Sequence, residues 1–250
     1  MRIFDFASRV NSYIRRNGAR ATMERVRVGV RRASHAGKMV VFCCDLHQPG
    51  LTASTCSGFP TVERANTLTE LGADRFHSMT AFWSPKLADR NIRERFARGA
   101  SLWLAMAGDV LAGYGWTLQG GTIEPYYFPL SPDDVHLFDF QVFPAFRGRG
   151  INPFLVTSIL VALAREGRTR AFIEAAAWND AQLASLGKTP FRLFGTVRSL
   201  TIANHPLVLW SGQKPLALTD RSAERIQRMP RAAGSNPKTP PAEAGAPFSK

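Results

Sequence analysis

The chain has 250 residues, 45% of them hydrophobic, 10% aromatic and 20% charged. That composition is globular and excludes whole-length disorder, a collagen-like repeat and a disulfide-dense scaffold. The net charge of +13 sits at the ends: residues 1–40 hold ten Lys/Arg against two acids, residues 211–250 seven against three, and residues 41–210 fifteen against fourteen. A nearly neutral body argues against nucleic acid as the main partner.

Residues 2–34 read as two basic amphipathic helices joined at Asn17-Gly18, with Ile3, Phe6, Val10, Tyr13 and Ile14 at helical spacing in the first. Such a segment can lie on an anionic membrane surface or fold back on the core, and both readings stay open. Its first twenty residues include five arginines and no apolar stretch, so it is not a secretory signal. The longest uncharged apolar run, 151–164, is shorter than the about 20 residues a membrane span needs. Three cysteines, Cys43, Cys44 and Cys56, fit a reduced protein. The expected location is cytoplasmic, with the basic stretch able to sit against the inner membrane surface.

Met39 to Asp45 has strand length, and a turn-rich stretch follows it. Helical patterns come next, Val62 to about Phe76 and Ser84 to Arg98, with Ser84 as cap and Pro85 as first helical residue. Ser101–Ala107 and Val110–Thr117 flank Gly108-Asp109 as a β-hairpin. Val135–Val142 is a strand ended by Pro144, and a helix runs from Pro153 to Glu166 and stops at Gly167. Strand Ala171–Ala176, a short helix from Asp180 to about Leu186, and strands Phe191–Val197 and Leu207–Trp210 complete the order. The layout is α+β with a mixed sheet. It divides into a basic helical extension (1–38), a folded domain (39–211) and a basic, Pro-rich tail (212–250) in which disorder is expected over 230–250.

The chemistry concentrates between Phe138 and Pro153. A strand ends at Pro144, Arg147, Gly148, Arg149 and Gly150 form a short loop, and a helix begins with Asn152 as expected cap and Pro153 as first residue. The glycines let backbone approach a ligand, and the N–H groups of a helix start favour an anion, most naturally a pyrophosphate. The dinucleotide fingerprint fails because Pro153 stands where a small residue is required. A Walker A loop ending at Gly187-Lys188-Thr189 fails because Gln182 replaces its first glycine.

The strand-Pro-x-x-Arg-Gly-x-Gly-Ile-helix pattern resembles motif A of the GNAT acetyltransferase superfamily. Downstream, the strand Phe172-Ile-Glu174, Trp178-Asn179, a short helix and Pro190-Phe191 are similar to the family's motif B. The resemblance covers roughly residues 60–200 and implies a GNAT-like, mostly antiparallel central sheet flanked by helices. It further implies an N-acyltransferase that moves an acetyl or short acyl group from acetyl-CoA to a primary amine on a small molecule or protein. By the same resemblance, the pantetheine arm lies along Phe140, Gln141 and Val142, with the pyrophosphate on Arg147, Gly148, Arg149, Gly150, Ile151 and Asn152. Asn179 matches an asparagine that contacts the cofactor, and a strand N–H is expected to polarise the thioester carbonyl.

A Lys-like amine starts near pKa 10.4, so a base helps. Glu174 matches a glutamate that serves as base in some members. Asp139 and His136 are alternatives, and strand alternation places them on opposite faces. Glu124, Tyr126 and Tyr127 could line the acceptor pocket. Two departures stand out: Leu186 occupies the usual tyrosine general-acid position, and Pro190 replaces the glycine of Gly-Phe. They keep a rival alive, a protein that binds acyl-CoA without turning it over; a membrane-surface or nucleic-acid-binding module is the other. Cys43, Cys44, His47 and Cys56 lack a C-x₂-C pairing, so no metal is expected.

Overall fold

A computed structural model describes residues 37–51, 61–82, 85–123, 126–202 and 205–212. The basic stretch 2–34, the tail beyond 212, Cys56, Ser84 and Glu124 lie outside these residues. The elements run β1 (Lys38–Asp45), β2 (Thr61–Ala65), α1 (Leu68–Leu71), α2 (Ala73–Phe82), α3 (Pro85–Ala97), β3 (Ser101–Ala107), β4 (Val110–Gln119), β5 (Asp134–Val142), α4 (Ile151–Arg165), β6 (Arg170–Ala176), α5 (Asp180–Leu186), β7 (Arg192–Ile202) and β8 (His205–Gly212). A 3₁₀ turn, Pro144–Phe146, separates β5 from α4. The strands form one sheet in the order β2-β3-β4-β5-β6-β1-β7-β8, antiparallel except for the β5–β6 pair. The fold is therefore the expected α+β, mostly antiparallel sheet with helices on its faces.

Both faces of the central strands are covered, which explains why β3 and β4 are apolar almost throughout rather than alternating. On one face, Leu102, Leu104, Tyr114 and Trp116 pack with Leu71, Met79 and Ile92 of α1–α3. On the other, Trp103, Ala105, Leu137 and Ile173 meet Leu155, Ile159 and Leu160 of α4. Over β6, β1, β7 and β8, on the face away from α4, the cover is the β4–β5 connection: Phe128 is buried with Val41, Phe172 and Val197, and Tyr126 and Tyr127 pack beside it.

Local chemistry sets the element ends. Gly108, at φ +62, occupies the first position of the two-residue turn between Ala107 and Val110. Gly167, at φ +76, ends α4: Arg168 N–H bonds Leu163 O at 3.1 Å and Gly167 N–H bonds Ala164 O at 3.0 Å, the paired bonds of a Schellman stop. The buried Asp134 carboxylate takes two 2.8 Å bonds from the Arg170 guanidinium, locking β5 to β6 where both strands begin.

Three local expectations are corrected. Residues 62–65, expected at the start of a helix, belong to β2 and pair antiparallel with β3; helix begins only at Leu68, capped by the Thr67 hydroxyl. The long helix begins at Ile151 with Gly150 (φ 74) as its cap, and Phe154 N–H bonds Gly150 O at 3.1 Å. Asn152 is thus inside the first turn rather than the cap, and its side chain donates to Ser185 Oγ at 2.8 Å. Finally, alternation along β5 breaks at Asp139, which has φ 50. Phe138 pairs with Trp116 and Gln141 with Tyr114, so two residues of β5 stand opposite Gly115 alone. This bulge leaves Asp139 on the same face as His136 and Phe138.

Candidate active site

The parallel ladder between β5 and β6 runs from Asp134↔Arg170 to Leu137↔Ile173 and stops. Beyond it, Phe138–Val142 and Glu174–Ala176 continue without pairing to each other, although β5 stays bonded to β4 and β6 to β1. The sheet therefore carries a gap at its centre, edged by the backbone of Phe140, Gln141 and Val142. The bulge lies at the start of this stretch and depends on its neighbours: a Cβ on Gly115 would come within 2.4 Å of the Phe140 ring, and one on Gly113 within 2.7 Å of Gln141 O.

The phosphate-type turn follows directly. Gly148 and Gly150 have φ +76 and +74, left-handed values that most side chains resist. The N–H groups of Ile151 and Asn152, in the first turn of α4, have no acceptor within the helix, and Pro153 has no N–H to offer. Arg147 folds back so that Nε donates to Val142 O at 3.1 Å, while the Arg149 guanidinium stands 5.8 Å from the Phe146 ring. A loop of open N–H groups, one helix N-terminus and two arginines is chemically suited to a pyrophosphate.

Glu174 sits where the ladder ends, its side chain 19% exposed, with Oε2 2.9 Å from His136 Nε2. The His136 ring is buried between Tyr126, at 4.8 Å, and Phe138, at 5.3 Å and stacked at 18°. The Tyr126 hydroxyl is buried beside the same carboxylate without reaching hydrogen-bond geometry. Burial, and then the nearby Glu174 charge, push its pKa well above the usual phenol value; Tyr127 is raised for the same reasons. The sequence singled out each of these residues separately, yet their meeting depends on the β4–β5 connection folding back over β6.

Other expected site residues are placed differently. The Asp139 carboxylate accepts from Arg95 Nη1 at 2.5 Å, and that guanidinium lies over the rings of Trp116 and Phe138. Asn179 caps α5, its Oδ1 accepting from Gln182 N–H at 3.2 Å. Leu186 is fully buried against the α4 core, so α5 presents no acid there. Cys43 and Cys44 face opposite sides of β1, and among the described residues no cluster of three His, Cys, Asp or Glu could hold a metal ion.

Residues 68–186 match the family model described as the acetyltransferase (GNAT) family. A search of curated proteins gives no match. Among solved structures, the chain is similar to a protein described as a GNAT-family acetyltransferase from Novosphingobium aromaticivorans, at 13% identity and TM-score 0.43, over 64% of this chain and 65% of that one. It is similar also to a GNAT-family acetyltransferase from Colwellia psychrerythraea, at 12% identity and TM-score 0.46, over 70% and 56%. A third is a glucosamine N-acetyltransferase region of a fungal multi-domain GH3 β-N-acetylglucosaminidase, at 11% identity and TM-score 0.45, over 64% and 20%. The chain thus spans less than two thirds of the length of each. The match to the acetyltransferase (GNAT) family model runs from the start of α1 to the end of α5.

Proposed function

We propose that the protein is an N-acyltransferase that moves an acetyl or short acyl group from acyl-CoA to a primary amine. The observation that carries this reading is the end of the β5–β6 ladder immediately before the Gly148–Gly150 turn. The gap exposes strand backbone to a pantetheine arm, and the turn offers N–H groups to the pyrophosphate. The amine approaches from the face carrying Tyr126, Tyr127 and Glu174. Its nitrogen bonds to the thioester carbon, its proton passes to the Glu174 carboxylate, and the C–S bond breaks to release CoA thiolate. With Leu186 buried, the thiolate leaves unaided and takes its proton from water, which a thiol of pKa about 8.5 permits.

Calorimetric titration of acetyl-CoA tests the cofactor site. Gly150→Glu places a carboxylate in the anion turn and is expected to weaken binding at least about tenfold, with the protein still folded by circular dichroism. Equal affinity in the variant, or no binding by the parent protein, would remove the reading. A second reading, binding without turnover, is favoured by the burial of Leu186. Thiol release across a panel of primary amines separates the two.

A further inference from the structure

We infer that His136 is a positioning residue for Glu174: a neutral imidazole that donates one hydrogen bond from Nε2 and holds the carboxylate at the open end of the β5–β6 gap. The inference rests on the acyl-transfer reading above and assigns His136 a part other than the base.

Three observations carry it. First, His136 Nε2 lies 2.9 Å from Glu174 Oε2, and an ionised carboxylate only accepts, so that nitrogen carries the hydrogen. Second, Nδ1 is buried without any hydrogen-bond partner. A cationic ring would bury a charged N–H there with nothing to accept it, whereas a neutral ring leaves only an unpaired lone pair. Third, the His136 side chain is only 6% exposed, whereas Glu174 keeps 19%. The imidazole therefore has no lone pair that an acceptor amine could reach, and the carboxylate does.

Packing explains why the arrangement holds. The ring is wedged between Tyr126 and Phe138, and His136 stands opposite Phe172 in the last part of the ladder, where the strands are still pinned together. The donor is fixed by the sheet, and the carboxylate it holds projects from the first residue of β6 beyond that ladder. Such second contacts, which orient a reacting group without touching substrate, commonly matter by factors of roughly 10–100.

The test uses the full-length chain. Nitrogen-15 spectra of the histidine-labelled protein near neutral pH, with His136 assigned by its loss in His136→Phe, should show Nδ1 bare and Nε2 protonated. Protonation of both nitrogens, or of Nδ1 alone, overturns the proposal. In turnover with whichever amine releases thiol, His136→Phe keeps the ring packing and should lower kcat about tenfold or more while KM for acetyl-CoA stays within about twofold. His136→Gln, which restores an N–H donor, should recover much of that loss. In a Glu174→Gln background, His136→Phe should cost little further. Additive losses, or no recovery with glutamine, would mean that His136 only fills space. Failure of the parent protein to bind acetyl-CoA would instead remove the acyl-transfer reading, and the histidine spectra would still decide whether His136 holds Glu174.

Discussion

Cys43 and Cys44 occupy successive positions of β1, the first beneath the aromatic cover of Phe128 and Phe172, the second in the core under α4. Burial raises both thiols from the ordinary 9.0, Cys43 to about 12 and Cys44 to about 11, and the Asp45 charge adds to the shift. Since the thiolate is the nucleophile, iodoacetamide near neutral pH should leave both unmodified until the protein is denatured, as peptide mass spectrometry would show. The same shift ties stability to alkali. Between pH 9.0 and about 12 the unfolded chain releases a proton that folded Cys43 retains, so this contribution is complete below pH 9.0 and declines as pH rises through that window. The raised Tyr126 and Tyr127 act in the same direction. The urea midpoint should fall between pH 8.5 and about pH 10.5, and fall less in Cys43→Ala; an equal fall in both would show that Cys43 contributes nothing. Among single residues, Glu174 is readable from sequence because it sits in a short strand just before Trp178-Asn179. The partnership with His136 is not, because it joins two strands through a parallel ladder and needs the Tyr126 ring as a wall.

At the level of elements, the β5 bulge shapes the candidate site. Within Phe138-Asp139-Phe140 the hint is slight: there is no glycine or proline, only Asp139, a residue type enriched at positive φ, which adopts φ 50. The signal lies across the ladder, in Gly113 and Gly115 of β4, which let β5 and the Phe140 ring approach. Gly113→Ala sets a methyl 2.7 Å from Gln141 O, a backbone atom that can yield only if β5 moves. It should cost about 1–3 kcal/mol, measured by urea unfolding, and weaken acetyl-CoA binding because the displaced strand edges the gap. Unchanged stability would mean that β5 shifts freely there. β2 shows how an element can be misread. Val62, Ala65, Leu68 and Leu71 recur every third residue and mimic a helix face, yet hydrogen bonds to β3 decide the conformation of the first two. The α4 start was legible through its glycines, although Gly150 in the left-handed region, rather than Asn152, makes the cap.

For the whole molecule, the position of β1 is the fact that no local pattern contains. Met39 to Asp45 reads correctly as a strand, but its neighbours, β6 on one edge and β7 on the other, follow from pairing across most of the chain. The family match covers 68–186, so the strand that joins β6 to the β7–β8 pair lies outside it. A chain beginning at Gly37 should fold and bind acetyl-CoA, since Gly37 and Lys38 still supply the carbonyls that receive Ser199 and Ala177 N–H. A chain beginning at Leu46 should not, because it exposes β6 and β7 edges and empties the sites of Val41 and Cys44. Circular dichroism and thermal melting of the two truncations decide the point; a cooperative transition in the shorter one would show that β1 is dispensable.

The same placement governs how the protein is made. β1 leaves the ribosome first, yet the strands that satisfy its edges emerge roughly 130 to 150 residues later. Until then the apolar sequence Met39-Val-Val-Phe-Cys-Cys44 has no partner, while the β3–β4 hairpin and its helices can already form. Closing the sheet thus waits for β6 and β7 to emerge and cannot proceed strand by strand from β1. A nascent chain stalled before β6 carries an unpaired apolar strand for a chaperone, or an aggregate, to capture.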